Sequence, residues 1–251
     1  MNINTVIIGA GYHGLKKAFQ LYEQQNENLL LIEFEDRIDS EQNREIIDSD
    51  VLPFNIWFKS TVTSIKPGEE DKYVISVQTK DGVIQILAKH IVITTGAIEK
   101  PKSLNMIPGD RPAGEFTPSL ALSLLERGYA PGINPLIILN NENAIRLAQK
   151  LESIPQLTVK ALNSDNIEVV SVKGESRVTG ITIRDTISDE TSVIDCDSFV
   201  YSNGSIPNTG FAHDLGLALD ENQFIQTNSK GETSMTGVLA FGACSTQRVP
   251  F

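Results

Sequence analysis

"NTVIIGAGYHGLKKAF", residues 4–19, decides how this chain is read. An apolar run, Thr5–Ile8, enters three glycines at Gly9, Gly11 and Gly14 and leaves them in a segment with helical spacing, so a buried strand turns tightly into a helix at about 12–25. A second apolar run, "NLLLIEFED" (28–36), follows and completes a β-α-β unit. The near-continuous Val-Ile-Ile and Leu-Leu-Leu-Ile runs suit parallel strands covered on both faces. Each glycine then has its own task. Gly9 permits the turn, Gly11 lets a phosphate approach the backbone, and Gly14 lets helix and strand pack closely, with Ala10, Tyr12 and His13 completing the loop. The helix N-terminus, with its unpaired amides and positive dipole end, faces a pyrophosphate in such a turn. Glu33 ends the second strand about 20 residues beyond the last glycine, where an acid accepts hydrogen bonds from both ribose hydroxyls. An acid there selects a free 2′-hydroxyl, hence FAD or NAD rather than NADP; the alternative is a purely structural βαβ turn. Glu35 and Asp36, further on, are expected to be solvated.

Composition narrows the rest. The chain has 251 residues, 40% hydrophobic and 21% charged, as in an ordinary globular protein with one large core or two modest ones. Its 21 basic and 32 acidic residues give a net charge of −11, which repels polyanions and argues against nucleic acid and anionic membranes as partners. No apolar run is long enough to span a bilayer, and the start MNINTVIIGA has neither a basic n-region nor a cleavage site, so the expected location is cytoplasmic. The two cysteines, Cys196 and Cys244, form no C-x-x-C pair, and His13, His90 and His213 lack ligand spacing; neither a redox dithiol nor a metal site is expected.

Beyond the first unit, a polar stretch at 36–53 reads as a loop or a short exposed helix. "NIWFKSTVTSIKPG" (55–68), "KYVISVQTKDG" (72–82) and "VIQILAKHIVITTG" (83–96) read as three strands of an antiparallel meander, turned at Asp81-Gly82 and with Trp57 and Phe58 in its core. "PSLALSLLERGYAPG" (118–132) reads as a helix with Leu120, Leu124 and Leu125 on one face, stopped by Gly128 and Pro131. "PLIILNNENAIRLAQKLESIPQLTVKAL" (135–162) gives a second strand, helix and strand, with Asn140 or Asn141 as N-cap and the helix closing before Pro155. "IEVVSVKG", "VTGITIRD" and "SVIDCDSFVYSNG" form another meander and a returning strand. The last segment, "QFIQTNSKGETSMTGVLAFGACSTQRVPF", contains a hairpin-like piece and a buried strand at Val238–Phe241, and stops where a helix is expected.

Three segments carry a family resemblance: "HIVITTGAIEKP" (90–101), "IPGDRPAGEFTPSLALSLLERGYAPG" (107–132) and 197–244, from "DSFVYSNG" to "LAFGAC". Together with the glycine loop they resemble the flavin-dependent pyridine nucleotide-disulfide oxidoreductase superfamily. Within it, "PGDRPAGEFT" looks like a truncated member of the branch of sarcosine oxidase alpha subunits, hydrogen cyanide synthase and dye-linked proline dehydrogenase subunits. The resemblance implies an α/β fold of two Rossmann-like three-layer nucleotide-binding domains with inserted antiparallel β-meanders, the second domain reduced. Residues 1–108 would be the first part of an FAD-binding domain, 109–205 a reduced NAD(P)-type domain lacking its glycine loop, and 206–251 the return segment to the FAD domain. It implies FAD as cofactor, with Thr94, Thr95, Gly96 and Ala97 as the turn crossing under it and Val62 offering backbone groups to the adenine.

The departures from the family are as informative. Where relatives carry a second glycine-rich loop, Asn140, Asn141, Glu142 and Asn143 stand, which obstructs a pyrophosphate and adds a negative charge at the helix end that attracts it, so NAD(P) is not expected. The family's C-terminal Gly-Asp, whose Asp holds the flavin ribityl chain, reads Gly242-Ala243. The following helix is missing and the segment after Glu35 is abbreviated. All three flavin-end losses leave the adenylate end intact. Cys244 reads as a small buried residue, and Asp110 and Arg111 as an interdomain turn.

Two functional classes follow. One is an FAD-binding oxidoreductase or oxidoreductase subunit acting on amines or amino acids with a partner subunit or a second copy; its catalytic residues are not identifiable. The other is a degenerate, non-catalytic adenylate-binding or structural subunit of a dehydrogenase complex.

Overall fold

The structure is a computed structural model that describes residues 1–24, 28–38, 43, 46 and 52–247. The chain folds as two units, Met1–Ile98 with Ile206–Phe251, and Glu99–Ser205.

In the first unit β1 (Asn2–Ile8), α1 (Tyr12–Glu23), β2 (Leu29–Ile32), β3 (Asn55–Trp57), β4 (Thr61–Pro67), β5 (Tyr73–Thr79) and β6 (Gly82–Ile93) follow in chain order. They build one sheet in the order β3-β2-β1-β6-β5-β4, with the late strand Val238–Ala240 also paired to β6. β6 is shared. Its first part runs antiparallel to β5, from Gly82 opposite Thr79, and its last part runs parallel to β1, ending with Ile93 opposite Ile8. The pleat divides the parallel strands between two cores. Val6, Ile8, Leu30, Ile32, Ile91 and Ile93 join the meander's Ile65, Ile75 and Val77. Ile7, Leu29, Leu31 and Val92 meet Leu15 and Ala18 of α1. Both faces are covered, which is why these strands read as unbroken apolar runs.

The second unit repeats this layering. Four parallel strands, Lys160–Asn163, Pro135–Leu139, Ser198–Val200 and Glu115–Phe116, lie side by side in that order. Ile137 and Val200 face Leu147 and Leu151 of the helix Glu142–Glu152, while Leu136, Ile138 and Phe199 face an antiparallel meander of Ile167–Lys173, Gly180–Asp185 and Thr191–Asp195. Burying Leu147 and Leu151 completely contributes about 2 kcal/mol each. The expected class, α/β with meanders inserted in two three-layer units, is the observed one.

Several local expectations are corrected. "NIWFKSTVTSIKPG" splits in two: Trp57 pairs in parallel with Ile32, and the chain bends at Lys59 (φ 50°) before β4 begins. Trp57 therefore packs against the sheet core from a parallel strand, and Phe58 is 38% exposed rather than core. The hairpin turn is Lys80-Asp81, with Gly82 at φ 126° opening β6. In the helix Pro118–Glu126 the buried stripe is Pro118, Ala121 and Leu122, and Leu120 is 49% exposed. Thr117 caps the helix by accepting from Leu120 N, and this start fixes which of the apolar positions in consecutive turns face inward. The late strand ends at Ala240 rather than Phe241. Residues 99–108 go with the second unit: Lys102 pairs with Glu115 and donates to Pro112 O at 3.0 Å, and Asn105 Oδ1 accepts from Asn203 N at 3.0 Å. Of the stretch 36–53, Ile38, Ile46 and Leu52 pack against the α1-side core; its remaining helix-or-loop assignment falls mostly outside the described residues, as do 248–251.

Candidate functional site

The three glycines of the first loop differ in what surrounds them. Gly9, at φ 100°, adopts a conformation that L side chains rarely take, and a Cβ there would lie 2.5 Å from Thr94 O. A Cβ on Gly14 would lie 2.0 Å from Gly9 O and 2.8 Å from Thr94 Oγ1. Gly11 is different. Its backbone is extended at φ −73° and ψ −174°, which any residue adopts, and a Cβ there would have no atom within 4 Å. Gly9 and Gly14 are required by the fold; Gly11 is required by neither packing nor conformation.

Thr94 ties the loop to the end of β6: its amide donates to Ile8 O at 2.9 Å, and its hydroxyl lies 3.0 Å from Ile8 O and 2.9 Å from Gly9 O. Glu33 is 8% exposed, its Oε2 accepting from Ala10 N at 2.6 Å and its Oε1 from Glu35 N at 3.0 Å. The carboxylate is thus fixed beside the loop by two backbone donors, with lone pairs left for hydroxyls. Gly11, the N-cap of α1, has no capping side chain, and the first turn, which includes Tyr12 and His13, carries no acid. The helix end and its dipole thus carry neither a side-chain cap nor an acid that would compete with an anion. Glu35 and Asp36 are exposed, and Asp36 stands 3.7 Å from Lys59. Val62 is buried in β4, which begins just after Ser60 donates its amide to Glu33 O at 2.9 Å, so the start of β4 lies by the end of β2. Thr95 and Gly96 are bonded to Asn208, through Thr95 Oγ1 to its carbonyl at 2.7 Å and from its amide to Gly96 O at 3.0 Å.

The last strand brings Gly242 and Ala243 to the same place. Phe241 N donates to Ile93 O at 2.9 Å, and a Cβ on Gly242 would lie 2.8 Å from His13 Nδ1, so the imidazole lies against Gly242. Burial, and Lys16 after it, hold the His13 pKa below its ordinary value. Ala243 is exposed and offers no polar side chain. Cys244 is fully buried, its thiol directed at Phe241 O and Ile93 O and pushed up in pKa by burial, which fits a packing residue rather than a thiolate. Cys196, in the other unit, is pushed up to about 11 for the same reason.

In the second unit the start of the helix Glu142–Glu152 is surrounded by the protein's own polar groups. Asn141 caps its helix by accepting from Ala144 N at 2.9 Å, Glu142 lies in the first turn, and Asn140 donates to Ser202 O. Asn143 Nδ2 donates to Glu99 Oε1 at 3.0 Å, and Glu99 Oε2 accepts from Ser119 N and Oγ, both at 2.7 Å. Glu99 was not singled out by sequence; its partners lie 20 and 44 residues away, beyond any local pattern. Asp110, expected in an interdomain turn, instead bonds within this unit, accepting from Gly174 N at 3.0 Å. Among the described residues no group of three or more His, Cys, Asp or Glu could hold a metal ion, and no helix is long and apolar enough to cross a membrane. A cavity of about 670 Å³ opens in the first unit between Lys17, Leu21, Val92 and Leu239, and it reaches Asn4 and Thr5 rather than the glycine loop.

Residues 137–250 match the family model described as pyridine nucleotide-disulphide oxidoreductase. Thioredoxin reductase of Chlamydia trachomatis serovar D is 28% identical over 110 residues, which are 43% of this chain and 34% of that protein. The match thus spans only a minor part of that relative. Among solved structures, thioredoxin reductase of Lactococcus lactis superposes with a TM-score of 0.73 at 18% identity, covering 97% of this chain and 91% of the other. L-proline dehydrogenase from P. horikoshii gives 0.69 at 19% identity, covering 98% of this chain and 51% of the other. At these identities the two structures establish a common fold.

Proposed function

For a chain whose residues 137–250 match the pyridine nucleotide-disulphide oxidoreductase family model, we propose that the first unit binds FAD by its adenylate half and serves as a flavoprotein oxidoreductase subunit. The observation that carries this reading is Gly11. With ordinary dihedrals and open space where its side chain would be, neither packing nor conformation calls for glycine beyond a modest N-cap preference, and a ligand lying against the backbone supplies the stronger reason. The uncapped helix end receives the pyrophosphate and the buried Glu33 receives the ribose. Gly9, Ala10, Tyr12, His13, Gly14, Thr94, Thr95 and Gly96 shape the loop and its floor, the backbone near Val62 lies toward the adenine, and Gly242 and Ala243 lie toward the flavin. Bound FAD supplies the redox chemistry through its isoalloxazine; the chain's residues hold and orient it. The substrate class is amines or amino acids, oxidised by a partner subunit, a reading supported by the "PGDRPAGEFT" motif and by the L-proline dehydrogenase likeness. The second unit takes no NAD(P), because Asn141, Asn143, Glu142 and Glu99 fill or charge the helix end where its pyrophosphate belongs.

Exposed Ala243 favours a second reading, an adenylate-binding subunit without redox chemistry, because nothing polar at that position holds the chain beyond the pyrophosphate. The visible spectrum of the purified protein, followed by titration with FAD and with ADP, separates the two. Flavin bands near one per chain carry the first reading; a colourless protein that binds ADP but refuses FAD carries the second.

Restoring a carboxylate sharpens the test. Ala243→Asp is expected to strengthen FAD by about 0.5–1.5 kcal/mol, the contribution of an ordinary hydrogen bond, and to leave ADP unchanged. Because Ala243 is exposed, the new carboxylate stays solvated and the melting temperature holds. Calorimetric affinities that move together for FAD and ADP, or do not move, take the C-terminal segment away from the flavin.

A further inference from the structure

We propose that the cavity in the first unit is a binding site for a monoanionic carboxylate with an apolar body. The site is independent of the nucleotide reading above. Its volume of about 670 Å³ lies within the roughly 300–1,000 Å³ usual for small-molecule sites, and its lining stays clear of the glycine loop.

Alternation along the strands makes the floor. Side chains two apart share a face, so Thr5 stands with Ile7, His90 with Val92, and Leu239 with Phe241, on the side of the sheet that α1 covers. Register sets Thr5 beside His90 and Val92 beside Leu239. Leu15 and Ala18 of α1 close over Ile7, Leu29 and Leu31, while toward β6 and the late strand the same face opens into the cavity. Lys17 and Leu21, one turn apart on α1, form one wall. Residues 232–237 form the other, and that wall is held in place. Tyr73 Oη donates to Thr236 O at 2.6 Å, Ile91 N to Gly237 O at 2.9 Å, and the Thr233 hydroxyl to Val238 O at 2.9 Å.

The charges select the ligand. Lys17 is the only lysine or arginine among the described residues that line the cavity. Its ammonium lies 5.5 Å from the centre of the Phe241 ring and donates to Gln20 Oε1 at 2.9 Å, and burial holds its pKa below the ordinary value. An ammonium partly withdrawn from water gains more from an anion than a solvated one does. Leu21, Val92 and Leu239 beside it suit an apolar body rather than a second charge. Thr5 and His90, at the end of the floor away from Phe241, offer polar atoms to a substituent on that body. Glu232, the one carboxylate among the described lining residues, is exposed at the rim, with Asn228 Nδ2 donating to it at 2.6 Å. With the net charge of −11 it disfavours dianions such as phosphate esters.

Octanoate serves as the probe, and octyltrimethylammonium, with the same chain and the opposite charge, as its control. Both are titrated below micelle-forming concentrations by calorimetry and by amide chemical-shift mapping. Expected in the parent is one octanoate per chain, held at least about tenfold more tightly than the cation, with shifts centred on Thr5, His90, Val92 and Leu239. Lys17→Gln is expected to weaken octanoate about tenfold, the loss of one charge-assisted hydrogen bond, at an unchanged melting temperature, since glutamine keeps the helix propensity of lysine. Leu21→Glu sets a carboxylate one turn from the ammonium and is expected to weaken octanoate in the same way. An octanoate that does not bind, equal affinities for the two probes, parent-like octanoate affinity in Lys17→Gln and in Leu21→Glu, or shifts centred on Gly9–Gly14 overturn the proposal.

Discussion

Gly11→Val is expected to abolish retention of FAD and ADP while the protein stays folded. Valine accepts the extended backbone of residue 11, at φ −73° and ψ −174°, and its Cβ meets no atom within 4 Å. One small stability cost remains. Valine is a poorer N-cap than glycine, worth about 1 kcal/mol, and this lowers the melting temperature by roughly 2–4 °C for a chain of this size. The binding cost is much larger, because the branched methyls occupy the space through which phosphate oxygens approach the amides of α1. An affinity loss of at least ~100-fold follows, equivalent to about 3 kcal/mol. Calorimetry with ADP and a melting curve without nucleotide check both halves. Undiminished ADP affinity would remove the loop from the site and transfer the weight of the argument to Glu33 alone.

That division of labour among the glycines marks how far the sequence was legible. The β-α-β unit was legible because Val6–Ile8 and Leu29–Ile32 are unbroken apolar runs on either side of a glycine turn, a pattern that buried parallel strands impose. Glu33 was legible because its distance from the glycines follows from the length of a helix and a strand. Trp57 was not, since a three-residue parallel strand is too short to show a period and the meander strand follows almost at once. The inward face of Pro118–Glu126 was misjudged because Leu and Ala occupy most positions of that helix, leaving the stripe to be set by where Thr117 starts it. Glu99 was invisible for another reason: one carboxylate serves Ser119 and Asn143 through space, and nothing near it in sequence announces either bond. Residues 99–108, expected with the first domain, are held to the second unit by a pairing of Lys102 with Glu115 that lies 13 residues along the chain and leaves no local pattern.

Gly14→Ala is expected to do the opposite of Gly11→Val and strike the fold before any ligand is added. Alanine favours a helix over glycine by about 1 kcal/mol, so propensity alone predicts a gain. Packing outweighs it. The new Cβ would stand 2.0 Å from Gly9 O and 2.8 Å from Thr94 Oγ1. Neither can give way cheaply. Gly9 N is held by Ile32 O at 2.8 Å, its carbonyl is within hydrogen-bonding distance of the Thr94 hydroxyl, and Thr94 N is held by Ile8 O at 2.9 Å. Relief requires α1 to move away from β1, which opens the packing around Leu15 and Ala18, both fully buried. Overpacking of this kind costs about 3 kcal/mol or more, and after the propensity gain a net loss of at least about 2 kcal/mol remains, a fall of roughly 4–8 °C in melting temperature. Nucleotide binding falls as well, since the loop and the start of α1 are displaced together. Melting curves of the two variants without nucleotide, run side by side, give the test: Gly14→Ala must melt below Gly11→Val. The reverse order would mean that residue 11 packs and residue 14 faces the ligand, which would overturn the assignment of the cradle to Gly11.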